Sequence, residues 1–103
     1  MANEIREAER VVIRLVASNE LTAGMYVRVR ADDLILGRQE PIGPNNQMEP
    51  DDRVKFTHCG ANIYGVSVRR HTGRWEKTPF SGPLEDMFAI VCTFMQHLVA
   101  AYP

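Results

Sequence analysis

The chain has 103 residues and a mass of 11.7 kDa, the size of one domain around one core. It is 45% hydrophobic and 24% charged, and twelve Lys and Arg against thirteen Asp and Glu give a formal net charge of −1. These values exclude a disordered chain, a generally basic nucleic-acid binder and a polybasic membrane anchor. Two cysteines, Cys59 and Cys92, are too few for a disulfide scaffold. The charged, mixed-sign start lacks the pattern of a secretory signal. The most apolar stretch, Met87 to Leu98, is shorter than the roughly 20 residues that span a bilayer. A single domain over 1–103 is expected, in the cytoplasm, with reduced thiols, no cofactor and no membrane contact.

Residues 3–18 read as a helix, because Ile5, Ala8, Val12, Leu15 and Val16 recur at three- and four-residue steps with Val11 and Ile13 beside them. Asn3 is its expected cap, and Arg6, Arg10 and Arg14 form a stripe on the opposite face. From Met25 the period becomes two, which predicts a strand over 25–31, and a second short strand follows over 33–37. Residues 39–52 contain three prolines, a glycine and two adjacent asparagines, so they read as a long surface loop. Alternation resumes over 53–58 and 62–70, and a fifth strand is expected over 74–78. Pro83 then opens a helix over 83–101, with Glu85 and Asp86 in its first turn.

Helix, about five strands and helix, joined mostly by short turns, describe an α+β domain with an antiparallel meander. The economical packing puts both helices on one face of the sheet, in two layers. The other face is then open to solvent or to a partner.

Two surfaces stand out. If Met25, Val27, Val29, Val54, Phe56, Val66 and Val68 point inward, then Arg28, Arg30, Arg53, Lys55, Arg69 and Arg74 share the open face with Tyr26, and Glu76 is its main acid. Such a face suits phosphate or carboxylate groups, and a one-residue register error would abolish it. A solvated sheet face whose arginines discourage edge pairing, or pair with Asp51, Asp52 and Glu49 folded back from the loop, is the alternative. The second surface is the last helix, whose apolar arc is wider than one packing surface requires. There Phe88, Cys92, Met95 and Val99 are candidates for contact with a second copy or another protein; Trp75 either locks the last strand onto that helix with Phe80 or is a further exposed contact beside Arg74 and Lys77. Burial of the same residues in the core explains them equally well.

Catalytic and metal chemistry find little support. His58 and Cys59 are adjacent, but neighbours on a strand point to opposite faces. His58, Cys59, His71, Cys92 and His97 lack the paired spacing of a metal site. No phosphate-binding loop, dinucleotide fingerprint or nucleophile elbow is present. The sequence therefore points to a non-catalytic domain that binds another protein, itself included. Anion or single-stranded nucleic-acid binding on the basic face is the alternative.

Overall fold

Ile5, Ala8, Val12 and Val16 are buried at helical spacing and turn one face of α1 (Ala2–Ser18) into the core. The computed structural model describes residues 2–70 and 72–100, with only the backbone at residues 2 and 3. α1 already includes Asn3, which therefore does not cap it. Ile13 stays 49% exposed, so it does not widen the buried stripe. On the solvent side Arg6 pairs with Glu9 and Arg10 with Glu7, each at 3.0 Å, which accounts for much of the arginine stripe without a ligand. The helix ends where Thr22, fully buried, donates its hydroxyl to the Val16 carbonyl at 3.0 Å. Gly24, at φ 93°, then turns the chain into the sheet.

Five antiparallel strands follow in sequence order: β1 (Tyr26–Arg30), β2 (Asp33–Glu40), β3 (Glu49–Gly60), β4 (Ile63–Arg69) and β5 (Trp75–Gly82). α2 (Leu84–Phe94) and α3 (Gln96–Val99) complete the chain's helices. Leu34, Leu36, Val54, Phe56, Tyr64, Val66 and Val68 face the helices and join Leu84, Met87, Phe88 and Val91 in one core. α1 packs on β1, β2 and α2, while α2 packs on β4 and β5 and α3 on β3. The fold is the expected α+β meander with its helices packed on the sheet.

Three boundaries differ most from expectation, and one is β5, expected over 74–78, which runs on through Pro79 and pairs as far as Gly82. The segment 39–52 is not one loop: β2 extends to Glu40 and β3 begins at Glu49, and only 41–48 connect them, with a short 3-10 turn over Pro44–Asn46. Gln39 pairs with Pro50 and Glu40 with Glu49, so prolines sit inside a hairpin that their composition disguised. The last helix is also not continuous. Met95, at φ −125° and ψ 35°, separates α2 from α3, and Phe94 beside it is 70% exposed. The expected end of that helix at residue 101, and His71, lie outside the described residues.

A register shift in the β2–β3 pair has the widest consequences. Leu36 pairs with Val54, but Gly37 pairs with Asp52, so Arg53 is an extra residue. Such a bulge re-aims the side chain it inserts. Arg53 turns to the helix side, 4% exposed, and donates to the carbonyls of Leu98 at 3.2 Å and Ala100 at 2.9 Å. It also bonds Glu40 at 2.8 Å and Asp51 at 3.2 Å. Arg38, likewise buried, donates to the carbonyls of Val99 at 2.8 Å, Leu21 at 2.8 Å and Ala23 at 3.2 Å. The last carbonyls of a helix have no partner inside it. Two arginines supply those partners for α3, at the end where the helix dipole favours a cation.

Candidate functional site: the open sheet face

The strand register places side chains on the sheet face away from the helices. One row runs across all five strands through Arg28, Ile35, Lys55, Ser67 and Lys77. Beside it lie Tyr26, Gly37, Asp52, Arg69 and Trp75, with Arg30 and Asp33 on the other flank. Of the expected anion-binding residues, the structure brings Arg28, Arg30, Lys55 and Arg69 together on this face. Arg53 is not among them, because the bulge sends it into the core. Arg74 precedes β5 in an exposed turn, where its carbonyl accepts from the Arg70 amide at 2.8 Å.

Glu76 is also displaced from the open face. It pairs with Val68, whose side chain belongs to the helix-facing core, and it meets Arg70 at 3.0 Å. The acid at the centre of the face is Asp52 instead. It accepts from Tyr26 Oη and Arg28 Nη2, from Arg28 Nε at 3.3 Å and from Arg69 Nη1 at 3.4 Å. Burial pushes the Asp52 carboxyl up, but the bonds from Arg28 and Tyr26 and the charges of Arg28 and Arg69 outweigh it and hold the carboxyl below its ordinary range. The Tyr26 phenol moves the opposite way, raised by burial and then by Asp52. This cluster orients Arg28 and Arg69, whereas Arg30 and Lys77 have no ion pair among the described residues.

Because the folded Asp52 pKa lies below the ordinary 3.8, its contribution to stability is full above that value. It is lost as pH falls through the folded pKa. Asp52→Asn is expected to lower the thermal midpoint at pH 7 and to shrink the further drop between pH 5 and pH 2. Midpoints of both proteins across that range check it, and an unchanged acid limb would refute the assignment.

Trp75, half-buried, lies on this face with Lys55 Nζ 4.6 Å and the Arg69 guanidinium 5.6 Å from its ring centroid. Both distances are within cation–π range. Trp75 therefore belongs with the basic residues and not with the last helix. Phe88, Met95 and Val99, expected as interface candidates, are buried in the chain's own core at 5%, 9% and 0% exposure. They offer no surface to a partner. Cys92 is half-buried, and burial pushes its thiol up. Phe94, next to the break at Met95, is the exposed large apolar residue of that helix.

The remaining chemistry stays apart. Cys59 is exposed and its Sγ lies 3.3 Å from the Thr57 carbonyl, while His58 Nε2 donates to the Ala61 carbonyl at 2.7 Å. The His58 ring packs against Tyr64 at 5.0 Å. Among the described residues, no three His, Cys, Asp or Glu side chains converge as metal ligands would, and no helix is long and apolar enough to cross a membrane. No protein-family model, curated protein or solved structure matches this chain.

Proposed function

We propose that the open sheet face binds single-stranded nucleic acid. The observation that carries the reading is Trp75, displayed on an open antiparallel sheet within cation–π range of Lys55 and Arg69, with Lys77 on its own strand and Arg28 and Arg30 on β1 at the opposite edge of the same face. Unpaired bases stack on aromatic rings displayed by such sheets, and neighbouring cations meet the phosphates. Stacking is sequence-tolerant, which suits a face with few groups placed to read base edges. The chain's net charge of −1 makes this a local patch rather than a global attraction.

A second reading, association with another protein or a second copy, rests on Phe94, at 70% exposure the most exposed large apolar side chain described. It no longer draws on Phe88, Met95 or Val99.

The chain has one tryptophan, so its fluorescence reports on the face directly. Titration with an oligothymidylate at low salt is expected to quench Trp75, with affinity falling as salt rises. Arg30→Ala combined with Lys77→Ala removes two phosphate contacts and should reduce the salt slope by about 0.7 for each contact. Absence of quenching at low salt overturns the reading. Displacement by polyglutamate with no ring quenching by the oligonucleotide transfers the face to an acidic protein.

A further inference from the structure

A pocket of about 400 Å³ opens at the α3 end of the sheet, lined in part by Asp51, Asp52, Arg53, Arg69, Arg70 and His97. It shares Asp52 and Arg69 with the open face. We infer that this pocket holds the terminal phosphate of a single strand whose adjoining base stacks on Trp75, so that the protein prefers phosphorylated ends. The inference rests on the nucleic-acid reading and adds a site to it.

Donor chemistry is the first support. Arg70 meets Glu76 through Nε at 3.0 Å, and among the described residues neither of its Nη groups has a hydrogen bond. Arg69 bonds Asp52 through Nη1 at 3.4 Å, and its Nη2 lies toward Gly73, 3.9 Å from where a Cβ on that glycine would sit. Gly73 has φ 87° and no side chain, so the approach to Arg69 stays open. Guanidinium groups with free fork ends suit phosphate oxygens, which accept two parallel hydrogen bonds.

The acids on the pocket wall are already matched. Both oxygens of Asp52 accept bonds, from Tyr26, Arg28 and Arg69, and Asp51 Oδ2 accepts from Arg53 Nε at 3.2 Å. Arg53 is spent on Glu40, Asp51 and the α3 carbonyls, so Arg69, Arg70 and His97 are the pocket's available donors. A phosphate monoester carries nearly two charges at neutral pH, against one for a phosphate within the strand. A pocket with donors to spare therefore discriminates in favour of the end. Position is the second support: the Arg69 guanidinium that reaches the pocket is 5.6 Å from the Trp75 ring centroid. One side chain thus joins the phosphate site to the stacking platform.

The experiment compares three oligothymidylates of equal length, with a 5′-phosphate, with a 3′-phosphate and with hydroxyl ends, against wild type and Arg70→Gln. The Arg70 side chain is 57% exposed, so this variant is expected to fold. One phosphorylated strand should bind about tenfold more tightly than the hydroxyl-ended strand. Arg70→Gln should abolish that preference and leave the hydroxyl-ended strand's affinity unchanged. Equal affinity of wild type for all three strands overturns the pocket and leaves the open-face reading standing. Binding of no strand at low salt overturns both. In that case a thermal midpoint raised by inorganic phosphate in wild type, and not in Arg70→Gln, identifies the pocket as a free-phosphate site instead.

Discussion

Replacing Arg53 with methionine is expected to lower the unfolding free energy by about 3–5 kcal/mol, the cost of stranding a buried partner charge. The Arg53 and Glu40 side chains are only 5% and 11% exposed, so Glu40 would keep its charge in a place where water cannot replace the guanidinium. The same change strips the Leu98 and Ala100 carbonyls of their donor. Loss of a few kcal/mol is a large fraction of the 5–15 kcal/mol that holds a typical domain folded. Urea denaturation reads the magnitude, and amide exchange in α3 should rise before exchange in the β2–β3 pair. A double variant, Arg53→Met with Glu40→Gln, is expected to recover part of the loss, since the buried Glu40 charge is then gone and only the more exposed Asp51 loses its partner. An unchanged midpoint, with α3 still protected, would show that the clamp contributes nothing.

Gly37→Ala is the second large effect, and its cause is steric. A Cβ at this position would lie 2.3 Å from the Asp51 carbonyl oxygen and 2.3 Å from Tyr26 Oη. The Tyr26 ring crosses the strand pair directly over the glycine, its cross-strand partner. The ring can swing away, but the carbonyl belongs to the paired backbone of β3 and cannot. Overpacking of this kind costs about 1–3 kcal/mol or more. It also pulls Tyr26 from Asp52, so the arginines of the open face lose part of their anchor. In a Tyr26→Ala background the cost of Gly37→Ala should fall without vanishing, because only the ring clash is relieved. Denaturation of the four proteins in this cycle measures both parts, and a wild-type midpoint for Gly37→Ala would contradict the close packing.

Much of the fold is legible from period alone. Ile5, Ala8, Val12 and Val16 mark α1, and the alternation of Val54 and Phe56 with Lys55 marks β3 and its inward face. These signals are local, since the side-chain repeat of a helix or strand depends only on its backbone geometry. Composition misled where it overrode pairing: Pro50 and Gly43 made 39–52 read as a loop, yet pairing carries β2 two residues and β3 four residues into that span. The wide apolar arc of the last helix is real, and most of it packs inside the chain, Phe94 excepted, with Arg38 and Arg53 holding α3 on the sheet.

The net charge of −1 excluded a generally basic protein and left room for a basic patch. Periodicity then placed Arg28, Arg30, Lys55 and Arg69 on one face, because each stands on a regularly alternating stretch. It could not place Arg53, Asp52 or Glu76. Their sides depend on bulges and pairings between residues distant in the chain, and one inserted residue reverses the alternation beyond it. By that inversion a would-be ligand arginine becomes the clamp of the C-terminal helix, and an aspartate from an apparent loop becomes the centre of the basic face.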